Sequence, residues 1–341
     1  MVNRVTQCNL NSLIKNYLKE RAPMSEAKVL VTGIIPEEGL TDLRSAFDVT
    51  YDPEKESRDW ILANLSDFDG LLLMGTKADR ELIDAGKNLK IITTNGVGFD
   101  HVDIAYAKEK GIVVSNCPMG VRVPTAEMTF ALLLATVRRL AFYDKVVREG
   151  HWMDVSEKRY MGMSLQGKTL GIYGMGRIGS EVGRFCQALG MKVIYNDIRR
   201  LDHDLEEQLD VTYVDFDTLV KTADVITLHA PALPSTMGIF NADVFAKMKS
   251  TAYIINAARG VLIKEADLVT ALKTGEIAGA GLDVFEHEPT VSAELRSLDN
   301  VIMSPHAGTG TLEARTAIAQ EASNNLISFI NEGKAVNQVN A

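Results

Sequence analysis

Ten short runs rich in aliphatic and β-branched residues, separated by stretches of helical length, set the tightest limit on what this chain can fold into. Four come early: Lys28–Thr32, Gly70–Met74, Leu89–Thr94 and Gly111–Ser115. Six follow: Thr169–Tyr173, Lys192–Asn196, Ala223–Leu228, Ala252–Asn256, Ile277–Leu282 and Val301–Met303. Their apolar runs do not alternate with polar residues, so each strand is buried on both faces, as in a parallel sheet. Strands alternating with helices are βαβ units. The spacing therefore predicts two consecutive α/β modules, each a doubly wound parallel sheet. A length of 341 residues agrees with about two domains. Between the modules lies Pro124–Val147, apolar on nearly every face through Leu134. Such a helix is buried, between domains or between subunits.

Charge and composition remove several classes of function. A net charge of −9 repels phosphate backbones and argues against nucleic acid as a partner. The longest apolar stretch, Met128–Val137, is about half the roughly 20 residues of a membrane span. Cys8, Cys117 and Cys186 lie far apart, match no zinc or CxxC spacing, and are expected to be reduced thiols of a cytoplasmic protein. No His, Cys or Asp cluster has metal-ligand spacing, so no metal is expected. Residues 1–23 are basic, lack the apolar core of a secretory signal, and read as an extension before a folded chain that begins near Met24.

The second series opens with Gly174-Met175-Gly176-Arg177-Ile178-Gly179, a GxGxxG. Alone the sextet is weak, because 26 glycines make chance matches common. Its context is specific. It follows the strand Thr169–Tyr173 and precedes the helical pattern Ser180–Leu189, and a second strand then leads to Asp197, 18 residues past Gly179. Gly174 permits the tight turn, Gly176 lets the backbone approach a pyrophosphate, and Gly179 allows close packing of helix on strand. With Arg177 and Ile178, these residues open a helix whose unpaired N–H groups and positive dipole end suit phosphate. Asp197 would accept hydrogen bonds from the adenosine ribose and repel a 2′-phosphate, which favours NAD. Arg199 and Arg200 follow closely and could admit NADP.

Three further groups close later strands: Asn256-Ala257-Ala258-Arg259-Gly260, Asp283-Val284-Phe285-Glu286-His287-Glu288-Pro289 and Ser304-Pro305-His306-Ala307-Gly308. Ligands of open α/β sheets bind outside the carboxyl ends of strands, so Arg259, Glu288 and His306 could share one crevice. Taken singly, they could equally be a turn arginine, a loop carboxylate and a capping histidine. Together with Gly96-Val97-Gly98-Phe99-Asp100, the glycine loop and Leu228-His229-Ala230-Pro231, these segments are highly specific in their order. The chain resembles the D-isomer specific 2-hydroxyacid dehydrogenases, the family of glyoxylate/hydroxypyruvate reductases and D-lactate dehydrogenases, over about residues 28 to 330.

The resemblance implies a flavodoxin-like substrate domain (24–120 and 309–341) and an NAD-binding Rossmann domain (121–308), with a C-terminal helix near Leu312–Ile330 returning to the first. It implies that Arg259 pairs with the substrate carboxylate, that His306 is the general acid, and that Glu288 holds the imidazole and favours its charged form. It places the backbone N–H groups of Val97 and Gly98 on the substrate carboxylate. It places His229, Pro231, Thr236, Asn256, Ala257, Asp283, His306 and Gly308 on the cofactor, with Asp283 able to reach the carboxamide. A ketone carbon accepting hydride from NADH would then yield a D-2-hydroxy acid, from glyoxylate, hydroxypyruvate, pyruvate or phenylpyruvate. The segment after Pro124 and the family together predict a homodimer. A second reading, an NAD-sensing corepressor on the same fold, retains the same residues and differs in lacking turnover.

Overall fold

The computed structural model describes residues 25–341. The expected extension at 1–23 and Cys8 lie outside the described residues. The chain forms two units, one ending at Val121 and completed by Thr311–Ala341, the other spanning Arg122–Gly310.

In the first unit five parallel strands stand in the order β2-β1-β3-β4-β5. They are β1 Lys28–Val31, β2 Asp48–Thr50, β3 Gly70–Leu73, β4 Ile91–Thr94 and β5 Val113–Ser115. This is the flavodoxin-like order. Central β3 and β4 are buried at every residue, as unalternating sequence requires. In the second unit seven parallel strands take the order β12-β11-β10-β9-β6-β7-β8. They are β6 Thr169–Tyr173, β7 Lys192–Asn196, β8 Val211–Tyr213, β9 Val225–Leu228, β10 Tyr253–Asn256, β11 Gly279–Leu282 and β12 Val301–Met303. The chain turns back at β6, so the strand order reverses between β6 and β9, the Rossmann switch point.

Two strands escaped the sequence pattern, β2 and β8. Each has three residues, lies at a sheet edge, and pairs with a single neighbour. An edge strand with one face open has no need of a continuous apolar run, so it leaves little signal.

The apolar segment after Pro124 is two helices, not one. Helix α1 (Arg122–Val137) packs within its own unit, against α3 (Arg177–Ala188) and over β10 and β11. Arg139, in the left-handed region at φ 53°, separates it from α2 (Leu140–Arg148). Helix α2 buries no residue, and the segment that follows exposes Trp152 at 92%. Leu140, Val147, Val155 and Met161 are also exposed. The apolar surface left open to a partner is therefore on α2 and the loop beyond it, not on the more apolar α1.

Downstream of α3 come the short α4 (His203–Leu209) and the long α5 (Leu312–Glu332). The latter belongs to the first unit. Its Ser323 hydroxyl donates to Gly39 O at 3.0 Å, and Asn325 Nδ2 donates to Asn116 O at 2.8 Å. Beyond it, Asn340 brackets β5, accepting from Val114 N–H at 2.9 Å and donating to Ile112 O at 2.8 Å. Among the described residues no helix is long and apolar enough to cross a membrane, and no group of His, Cys, Asp or Glu could hold a metal ion. Cys117 and Cys186 are buried free thiols, and burial pushes the pKa of each upward.

Candidate active site

The glycine loop leaves β6 at the switch point. Gly174 has φ 97°, and a Cβ there would stand 2.8 Å from Ala230 N. A Cβ on Gly179 would stand 2.4 Å from Gly174 O. Only glycine permits both the turn and the close approach. Around Gly176 there is nothing within 4 Å of the Cβ position, and as a glycine at the N-cap it has no side chain to cap the first turn of α3. An open approach to an uncapped helix start fits a pyrophosphate. Half-buried Asp197, at the end of β7, lies over this loop. Its Oδ2 accepts from Met175 N–H at 2.7 Å and its Oδ1 from Arg199 N–H at 3.0 Å. Exposed Ile198 follows it, an apolar surface suited to a flat base, which motif reading passed over. The residues present therefore fit a dinucleotide.

Sheet register explains why distant segments converge. Asn256 of β10 pairs with Leu282 of β11, and Leu282 pairs with Met303 of β12. Three parallel strands in this register end side by side, so the chains carrying Arg259, Glu288 and His306 emerge together. His306 Nδ1 lies 2.8 Å from Glu288 Oε2, while Glu288 Oε1 accepts from Phe285 N–H at 3.0 Å. Burial raises the Glu288 pKa, but the hydrogen bonds from His306 and Phe285 and the charges of His306 and Arg259 bring it net below the ordinary carboxylate value. Arg259 Nη1 donates to Ala258 O at 2.7 Å. A cavity of about 360 Å³ opens beside the pair, lined among others by Phe285, Pro289, Val291, Met303 and Pro305, with Arg296 in its wall.

His306 sits at φ 53°, a left-handed conformation costing about 1–2 kcal/mol for a residue with a side chain. Asp283, 1% exposed, holds it there. Its carbonyl accepts from His306 N–H at 2.7 Å. Its Oδ1 accepts from the Ser304 hydroxyl at 2.6 Å and Ala307 N–H at 2.7 Å, and its Oδ2 from Gly308 N–H at 2.8 Å. Both carboxylate oxygens are thus turned to the 304–308 loop, and Asp283 seats His306 there. Ser304 was invisible as a participant, because nothing in the Ser-Pro-His spacing says where a hydroxyl points.

Other residues expected at the cofactor also make bonds within the chain. Asn256 is fully buried, donates to Arg259 O at 2.9 Å and accepts from Ala258 N–H at 3.1 Å. It shapes the turn that presents Arg259. The Thr236 hydroxyl donates to Pro231 O at 2.6 Å and accepts from Leu233 N–H at 2.9 Å, closing the 231–236 turn. The Gly308 N–H is spent on Asp283, and Ala257 is buried between Asn256 and the turn. His229 Nε2 lies 3.0 Å from Thr227 Oγ1, and burial pushes its pKa down to about 3, so the ring is neutral. In the first unit, Val97 and Gly98 follow β4. Val97 O accepts from Asn116 Nδ2 at 2.8 Å, whereas the N–H groups of Val97 and Gly98 meet no acceptor among the described residues.

Comparison with known proteins agrees with this architecture. Residues 130–308 match the profile of the D-isomer specific 2-hydroxyacid dehydrogenase, NAD binding domain. A glyoxylate reductase of Thermofilum pendens is 41% identical over 314 residues, covering 90% of this chain and 92% of that protein. The crystal structure of a glyoxylate reductase from Paecilomyes thermophila superposes with a TM-score of 0.83 at 34% identity, over 93% of this chain and 99% of the other. That of an NADPH-dependent glyoxylate/hydroxypyruvate reductase from Sinorhizobium meliloti, in complex with NADP and malonate, gives 0.82 at 33%, over 92% and 97%. The chain belongs to the D-isomer specific 2-hydroxyacid dehydrogenase family. It is an enzyme that uses NAD(P) to reduce 2-oxo acids.

Proposed function

We propose that this enzyme reduces a small 2-oxo acid (glyoxylate, hydroxypyruvate, pyruvate or phenylpyruvate) to the D-2-hydroxy acid with NADH, His306 donating the proton. The observation that carries the reading is the 2.8 Å contact between His306 Nδ1 and Glu288. A carboxylate on Nδ1 fixes the ring orientation and its tautomer, leaving Nε2 to serve the substrate carbonyl oxygen. The His306 side chain is 52% exposed, so the ring can be reprotonated from solvent. Arg259 brings a planar, permanently charged fork suited to a carboxylate and to polarising the adjacent ketone. The N–H groups of Val97 and Gly98, which meet no acceptor among the described residues, also suit a carboxylate. When bound, the nicotinamide supplies the hydride that adds to the carbonyl carbon. Positioning of acid and substrate then carries much of the rate. Asp197, as acceptor for the ribose diol, favours NADH over NADPH.

The test is NADH oxidation by the purified protein against the four acids, repeated with NADPH and with His306→Ala. Turnover of one acid is expected, with His306→Ala abolishing it while NADH still binds. Loss of NADH binding in that variant would give His306 a structural role. NADH binding without turnover of any 2-oxo acid would move the reading to a nucleotide sensor.

A further inference from the structure

One buried carboxylate in the second unit takes no part in the proposed reaction. Glu206 in α4 is 6% exposed yet carries a charge, its pKa held down at about 2 by hydrogen bonds from Arg200 and Tyr195. Oε1 accepts from Arg200 Nε at 2.9 Å and from the Tyr195 hydroxyl at 2.6 Å, and Oε2 accepts from Arg200 Nη2 at 2.8 Å. The Arg200 guanidinium also lies over the Tyr213 ring, 5.4 Å from its centre. Fully buried Tyr195 completes the cluster by accepting from Leu201 N–H at 2.9 Å. Arg200 is thus held side-on through Nε and Nη2 and on one face.

The location gives this clamp a consequence. Arg200 stands three residues beyond Asp197, on the turn where a Rossmann fold reads the adenosine ribose, and an arginine free at that turn is what accommodates a 2′-phosphate. A carboxylate buried like Glu206 cannot release its cation without being left charged and short of partners. We propose that Glu206 is a specificity-determining residue, which holds Arg200 away from the cofactor 2′-phosphate and so keeps the enzyme selective for NADH. This rests on the assignment of Asp197 to the ribose. Arg199, whose side chain has no partner among the described residues, is then the cation left to support whatever NADPH binding remains.

Glu206→Gln preserves size and a hydrogen bond to Tyr195 but surrenders the charge that holds Arg200. Dissociation constants for NADH and NADPH, from nucleotide fluorescence, provide the readout. In Glu206→Gln the affinity for NADPH relative to NADH should rise about fivefold, as one freed surface cation warrants. Adding Arg200→Ala should return the ratio to the wild-type value. Arg200→Met alone, which keeps an apolar stem over Tyr213, should leave the ratio unchanged. An unchanged ratio in Glu206→Gln, a gain that survives loss of Arg200, or weaker NADPH binding in Arg200→Met overturns the clamp. Failure of the underlying assignment has a different signature: the ratio does not respond to Asp197→Ala.

Discussion

Replacing Asp283 with Asn tests whether His306 is seated by its neighbour or merely adjacent to it. The buried carboxylate receives three donors, the Ser304 hydroxyl and the Ala307 and Gly308 N–H groups. An amide keeps one acceptor oxygen and sets an NH₂ where the other stood. Placed with its oxygen toward Ser304 and Ala307, it confronts the buried Gly308 N–H with a donor. One buried N–H then loses its partner, at a cost of about 1–3 kcal/mol. For a unit of this size that lowers Tm by roughly 2–4 °C per kcal/mol, hence a drop of several degrees. The catalytic effect should be larger than the stability effect. The left-handed backbone at His306 relaxes when its restraints weaken, and a displacement of about 1 Å at a reacting group costs about 10²-fold. Differential scanning calorimetry and NADH-oxidation kinetics, with NADH binding measured in parallel, separate the terms. The expected result is a lower Tm, kcat reduced about 100-fold, and NADH affinity little changed. Unchanged kcat would refute the seating argument. A selective loss of NADH affinity would instead restore Asp283 to the nicotinamide.

Three further outcomes are expected. Asp197→Ala should narrow the preference between NADH and NADPH in kcat/KM, since the carboxylate that excludes a 2′-phosphate is gone; a widened preference would contradict that. The exposed Leu140, Val147, Trp152 and Val155 on and after α2 should bury against a second copy, so light scattering should report a dimer at micromolar concentration, and Val147→Asp with Trp152→Glu should yield monomer. His229, with a folded pKa near 3 against an ordinary 6.5, binds a proton more readily when unfolded. Stability should therefore decline as pH falls from 6.5 toward 3 and be insensitive to His229 above that window. Urea titrations of His229→Asn should show a flatter acid slope than wild type, and an identical slope would exclude His229 as a contributor.

Much of the molecule is written in local pattern. Runs such as Leu71-Leu72-Leu73 and Ile254-Ile255 announce strands buried on both faces, because a polar residue there would lose its water without gaining a partner. The order of β6, the glycine loop, α3 and Asp197 announces the nucleotide site, because its requirements are backbone geometry and helix dipole, both encoded within some 30 residues. Arg259, Glu288 and His306 are legible as strand-end residues for the same reason. Short edge strands such as β2 and β8 are not, since half their surface faces water and needs no apolar signature.

What tertiary structure alone decided is the employment of polar atoms. How Asp283 grips the 304–308 loop, how Asn256 and Thr236 close their turns, and whether Arg200 is free or bound to Glu206 depend on side chains brought together by the fold. A hydrogen bond is satisfied within about 3 Å, and no one-dimensional spacing specifies a distance that small between segments joined through several strands. The sequence determines which groups are available for chemistry; packing determines which of them remain uncommitted once every buried donor and acceptor has been paired.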